Sequence, residues 1–247
     1  MGGRVALTFA IAALVIALLN IGWRFFAVET DPVRLWVSPS SESARQKAYF
    51  DDNFGPFYRP QQVFVMPPKG QDGGVMTYET LDWWLTHERA IAELRSSPNN
   101  YTLQDVCFAP AGDGTPCVVQ SISAWLGTDM TQWEGNEWAE RVNECAERPS
   151  GCLPDFGQPI DPRLILGGTE GGWTQARAMV VTWVINNSLD PVEVAKAEEW
   201  ERALEAYIGG LAGGAREAEV QVAYSTGVSL EQELNKVSFE TACENWR

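Results

Sequence analysis

The sequence predicts an α+β sandwich preceded by one transmembrane helix, with a disulfide-stapled insertion inside the folded part. Short runs of strand character alternate with runs of helical periodicity. An uncharged apolar run opens the chain. Four of the five cysteines of this 247-residue protein fall in one turn-rich stretch.

The apolar run, residues 5–23, reads VALTFAIAALVIALLNIGW, with only Thr8 and Asn20 polar and with Arg4 and Arg24 at its borders. As a helix it extends ~28 Å, close to the hydrocarbon thickness of a bilayer. A cleaved signal peptide is the rival reading of the basic start MGGR. The run is longer than an ordinary signal core, and Phe26-Ala27-Val28 is a poor cleavage site. A retained membrane helix over 1–27 is therefore expected, with the remainder on the non-cytosolic side.

Residues 61–66 (QQVFVM) form a β-rich run closed by Pro67-Pro68. Thr77 then opens a helix with Leu81, Trp84, Leu85, Ile91 and Leu94 on one stripe. The stretch 105–162 holds the clustered cysteines, many turn signals and one short helical piece at 118–126, and reads as an insertion of about 99–163. Residues 178–185 (AMVVTWVI) suit a central strand. Asp190-Pro191-Val192-Glu193 opens a helix with cap, proline and acid in order. It carries Trp200, Leu204, Tyr207 and Leu211 on one face and ends at glycines in 209–214. Residues 219–225 alternate, with Val220, Val222 and Tyr224 on one side, and Ser229 caps a last short helix. The split connections give a ferredoxin-like core. The folded part spans 28–236, and 237–247 is a divergent tail.

Cys107 and Cys117 are ten apart and Cys145 and Cys152 seven apart, around turn-rich PAGDGTP and ERPSG, so local disulfides and an oxidising compartment are expected. Cys243 is left over. Asn100-Tyr101-Thr102 and Asn186-Asn187-Ser188 are glycosylation acceptor patterns.

The chain carries 18 Lys and Arg against 33 Asp and Glu, net −15, which repels phosphate backbones and excludes a nucleic-acid partner. One histidine, His87, leaves little for zinc or a Ser/His pair. It sits inside a helix and reads as a satisfied boundary residue. Gly167-Gly168-Thr169-Glu170-Gly171-Gly172 lacks the Lys-Ser/Thr of a phosphate loop and reads as a flexible turn. Asp51-Asp52 and Glu198-Glu199 are adjacent residues that do not face each other as glycosidase acids do. No enzyme, cofactor or metal site is expected. Eleven tryptophans fit large rings in a core better than aromatic work at a surface.

Several collinear blocks resemble the Niemann–Pick type C membrane protein family, the sterol transporters of lysosomes and fungal vacuoles. They are DPVRLW at 31–36, SPSS at 38–41, YFDDNFGPFYR at 49–59, LQDVC at 103–107, LILGG at 164–168, VTWVINN at 181–187 and SLEQELN at 229–235. The resemblance implies a middle luminal domain on a porter-type sandwich of the resistance–nodulation–division kind, at the lysosomal or vacuolar membrane. It implies docking of a small soluble sterol carrier, so that sterol is a partner through the carrier. Two tip loops would grip that carrier: Lys69, Gly70, Gln71, Asp72, Gly73, Gly74 and Val75 in the first, and Asp129, Met130, Thr131, Gln132 and Trp133, within 127–135, in the second. It also implies the pairings Cys107–Cys117 and Cys145–Cys152.

An exposed Met130/Trp133 pair is the kind of anchor that a partner surface uses, and the competing reading folds Trp133 back onto its own domain. Asp72, Asp129 and Glu134, with a sequence pI near 4.5, lead to the expectation that acid favours docking. The alternatives are a Patched-like receptor domain and a membrane-tethered carbohydrate-binding module.

Overall fold

The apolar opening of the chain is helical, as expected: α1 runs Gly2–Trp23. The structure, a computed structural model, describes residues 2–23, 37–71, 73–214, 219–229 and 232–233, and the chain divides into two compact units, Met1–Ala44 and Arg45–Arg247. The side chains described in α1, residues 7–21, are exposed. Among the described residues no helix is long and apolar enough to cross a membrane. The transmembrane span expected over 1–27 is not borne out among the described residues, where α1 is an apolar, exposed helix. The tail 237–247, with Cys243, lies outside the described residues. Helix α2, Glu42–Phe54, follows and buries none of its residues.

The second unit is built on β1, Arg59–Met66, whose alternation puts Gln61, Val63 and Val65 inward. Thr77 caps α3, Tyr78–Ala92, by accepting from the Thr80 N–H, and α3 buries Leu81, Trp84, Leu85, Glu88 and Ile91. Short elements follow: α4, Leu103–Val106; β2, Val119–Gln120; α5, Ser123–Leu126; α6, Glu137–Glu147; α7, Pro162–Ile165; and β3, Leu166–Gly167. Then come β4, Ala178–Ile185, α8, Pro191–Gly214, and β5, Gln221–Ser225. The Asp190 carboxylate accepts from the Val192 N–H at 2.9 Å, which starts α8 as the sequence predicts.

The sheet order is β2-β4-β1-β5, with β3 also on β4, and every pairing is antiparallel. Val63 stands opposite Val181 on one side and Tyr224 on the other, so β1 is a central strand. The inward face meets α3 and α8 in one core that includes Trp84, Trp183 and Trp200, all fully buried. Ile122, Trp125, Met130 and Val142 belong to that same core, so the inserted segment is part of the fold's interior.

Three local readings change. The single helical piece at 118–126 splits, because Val119 and Gln120 pair with Trp183 and Thr182 of β4 before α5 begins. Helix α8 ends at Gly214, within the glycines where its end is expected, but its buried face differs. Its inward face is Ala197, Trp200, Leu204 and Ile208, with Tyr207 half-buried. The last helical turn is capped by Thr226, not Ser229: the Ser229 N–H donates to Thr226 Oγ1 at 3.0 Å and the Thr226 N–H to Ser229 Oγ at 2.9 Å.

Both disulfides are formed, Cys107–Cys117 with Cα atoms 5.6 Å apart and Cys145–Cys152 with 5.4 Å. The first fastens the segment beside the end of β4, where Phe108 N–H donates to Val184 O at 2.8 Å. Replacing Cys145 and Cys152 together by Ala is expected to lower the unfolding free energy by about 2–3 kcal/mol, as the short loop dictates. Urea titration of the full chain checks it, and an unchanged midpoint would show that the loop is held by packing alone.

Across β1 and α8 lies a buried polar cluster. Arg59 donates from Nε and Nη2 to the two carboxylate oxygens of Glu201 at 2.6 and 2.8 Å, and Gln61 Nε2 donates to Oε1 at 2.8 Å. Gln61 Oε1 in turn accepts the Gly227 N–H at 2.9 Å.

Candidate functional site

The second candidate loop is fastened to the start of α3, the helix that the first candidate loop leads into. Tyr78, the first residue of α3, donates its hydroxyl to the Met130 carbonyl at 3.2 Å. The connection from β1 into α3 is therefore tied to the second loop directly.

The first loop leaves β1 through Pro67-Pro68 and turns where the Gln71 N–H donates to Pro68 O at 3.0 Å. Lys69, Gly70, Gln71 and Gly74 are exposed and Gly73 is half-buried, while Val75 is buried. Asp72 lies outside the described residues. The Val75 N–H donates to Ala176 O at 2.9 Å, which lays the loop along the Gly-rich turn that begins at Gly167. Gly73 and Gly74 on one side and Gly168, Gly171 and Gln175 on the other line a crevice of about 690 Å³.

The second loop begins where α5 ends at Gly127. Its φ of +73° suits glycine, and a Cβ there would sit 2.9 Å from Gln132 Nε2. Asp129 caps a short 3-10 turn, Met130–Gln132, by accepting from the Thr131 N–H at 3.0 Å and the Thr131 hydroxyl at 2.7 Å. The Thr131 hydroxyl and N–H hold the Asp129 carboxyl below the usual carboxylate range, so Asp129 stays charged in a mildly acidic medium. The expectation that acid favours docking thus finds no support in Asp129.

Met130 is fully buried, which corrects the picture of an exposed Met/Trp pair. A flexible, polarizable side chain has filled a core gap under Tyr78. Trp133 is half-buried against the core, and its indole N–H donates to Leu126 O at 2.9 Å, so the fold-back reading holds. Gln132 Nε2 donates to the same carbonyl at 2.7 Å. The surface left for a partner is Asp129, Thr131 and Gln132 with the exposed residues of the first loop.

The remaining candidates are structural or peripheral. His87 Nδ1 lies 2.9 Å from the Tyr207 hydroxyl, and burial lowers its pKa. Glu199 accepts from Ser96 Oγ at 2.6 Å and from Asn99 at 2.9 and 2.7 Å, and Glu198 pairs with Arg202 at 2.9 Å. Among the described residues no group of three or more His, Cys, Asp or Glu is placed to hold a metal ion. Asn100 is exposed beside the Glu199 clamp. Asn186 donates its side-chain amide to Cys107 O at 2.7 Å.

Sequence reasoning missed Tyr78, Ser121, Ser123 and Glu88. Glu88 had a visible signal: it stands four residues after Trp84 and three before Ile91, inside the apolar stripe of α3.

Residues 47–227 match the family described as NPC1, middle luminal domain. The chain is 28% identical over 279 residues to the NPC1-like intracellular cholesterol transporter 1 of Mus musculus, covering 94% of this chain and 21% of that protein. It is 28% identical over 255 residues to the NPC intracellular cholesterol transporter 1 of Sus scrofa, covering 88% and 20%. It is 28% identical over 235 residues to the NPC intracellular cholesterol transporter 1 homolog 1b of Drosophila melanogaster, covering 79% and 18%. The chain spans about a fifth of the length of these relatives. Its mixed helices and antiparallel sheet, its two disulfides and the match over 47–227 agree: the chain belongs to the NPC1 middle luminal domain family.

Proposed function

We propose that this chain is a luminal docking module of a sterol transporter, which receives a small soluble sterol carrier on its two tip loops at a lysosomal or vacuolar membrane. The family match over 47–227, to proteins named as intracellular cholesterol transporters, carries the reading. The Tyr78–Met130 hydrogen bond supports it, because it ties the second loop to the helix that the first loop leads into. In this reading the folded part is 28–236 with its insertion near 99–163, and the order β2-β4-β1-β5, antiparallel throughout, supports a ferredoxin-like core. The carrier touches Lys69, Gly70, Gln71, Thr131 and Gln132, while Val75, Met130 and Trp133 hold the loops from beneath. The chain acts by binding and not by catalysis. Asn100 and Asn186 carry glycans.

The test is titration of the full chain with a sterol-loaded soluble carrier of this family. Gln71→Trp and Thr131→Trp, each on an exposed side chain, are expected to weaken binding about tenfold or more without moving the unfolding midpoint, because docking demands close complementarity. Unaltered affinity in both variants, or no binding by the wild type, would overturn the docking role.

A further inference from the structure

Two carboxylates are buried among the described residues, Glu88 and Glu201. Glu201 faces the Arg59 guanidinium, whereas Glu88 faces only neutral donors. Trp84 Nε1 donates to its Oε2 at 2.9 Å, Ser121 Oγ to Oε2 at 2.7 Å and Ser123 Oγ to Oε1 at 2.5 Å. The first donor is on the same helix. Ser121 stands just before α5 and Ser123 is its first residue, and α5 ends at Leu126, whose carbonyl receives both Gln132 and Trp133 of the second loop. Helix α3 therefore holds that loop at two points about 15 Å apart, Tyr78 at the tip and Glu88 at the base.

The surrounding charges do not neutralise Glu88. On α3, His87 turns onto Tyr207 and Arg89 is exposed. Residues 121–127 contain no charged side chain. The adjoining sheet offers Val119 and Gln120 of β2 with Thr182 and Trp183 of β4, all uncharged. On α6, Arg141 reaches Trp125 O at 3.4 Å.

We propose that Glu88 is a positioning residue for the second loop, a proton-dependent tie that fastens the base of the loop when its carboxyl is neutral and loosens it when ionised. This rests on the docking reading for its purpose, but not for its physics. A neutral carboxyl keeps the three contacts, with one serine hydroxyl turned to accept. An ionised one is a buried charge without a cation, and the domain relieves it by letting the Ser121–Ser123 segment part from α3 and admit water. Burial pushes the Glu88 carboxyl above the usual range, against the pull of its three hydrogen bonds. The native pKa being the higher one, the stability drawn from this group is full below the unfolded carboxyl pKa and is lost as pH rises through the native value.

Amide hydrogen exchange on the full chain tests it, with rates corrected for intrinsic exchange. Protection of the Trp125, Leu126 and Gly127 amides, which bond to Ile122 and Ser123 carbonyls, is expected to fall about tenfold from about pH 5 to about pH 7.4. In Glu88→Gln, which cannot ionise, protection is expected to be equal at both pH values. A flat wild-type profile, or a fall that persists in Glu88→Gln, would overturn the tie. Should Glu88→Gln not fold, Ser121→Ala with Ser123→Ala removes two donors to the ionised carboxyl. That double variant is expected to move the midpoint of the fall to higher pH, and an unmoved midpoint overturns the tie equally. Carrier titration of the same samples separates the two claims: a pH-dependent loop with no carrier binding sinks docking alone, and a flat loop with firm binding sinks the tie alone.

Discussion

Glu201→Ala is expected to lower the unfolding free energy by about 3–5 kcal/mol in denaturant titration of the full chain. Glu201 is fully buried and accepts from Arg59 at 2.6 and 2.8 Å and from Gln61 at 2.8 Å. Truncation leaves a guanidinium whose side chain is 17% exposed facing a void, with Glu198 at 3.9 Å, and takes from Gln61 an acceptor in the middle of β1. The cost is mostly that of the buried polar groups losing their acceptor, not of the pair as such. Arg59→Ala should therefore cost less than its partner's loss, because Glu201, already pushed up by burial, can take a proton where Arg59 cannot shed one. A loss under ~1 kcal/mol for Glu201→Ala would show that water replaces the carboxylate.

Met130→Ala is expected to cost about 2–5 kcal/mol, and Met130→Leu less than about 1.5 kcal/mol. The side chain has no exposed surface and belongs to the main core, beneath the carbonyl that Tyr78 grips. An exposed partner anchor would instead show no stability loss on truncation and a large loss of carrier affinity. Thermal unfolding beside carrier titration separates the two. Stability untouched by Met130→Ala would mean that the loop stands away from the domain in solution.

The elements of the second unit were legible where period and cap agreed. Thr77 and Asp190 each stand before an apolar stripe of the right spacing, and both caps formed as read. The two-residue strands β2 and β3 were not legible, because nothing local distinguishes Val119 and Gln120 from the start of a helix; their pairing is a property of β4. Met130 was misplaced for a related reason. Its neighbours Asp129 and Gln132 are polar, and in a 3-10 turn of three residues one side chain can point inward while those beside it face solvent. Glu88 carries no motif that singles it out in an acidic chain, although its place in the apolar stripe of α3 marks it. The family was legible because resemblance draws on many collinear residues at once, and so survives errors at single positions.

Strand β1 has consequences for how the chain reaches its native state. Its partners are far downstream: Gln62 meets Thr182 across 120 residues, Arg59 meets Glu201 across 142, and Gln61 meets Gly227 across 166. During synthesis at ~5–20 residues per second, β1 waits for many seconds with both edges open before β4 and β5 emerge. Its sequence, RPQQVFVM, is apolar along its second half and carries Pro60 as its second residue, which blunts one end against pairing with other chains. The same topology makes folding slow, since a long loop must close before the central pairing is rewarded. Substitutions that raise the apolar content of 59–66 are thus felt first as lost yield through aggregation of the nascent chain, before any change in the finished fold.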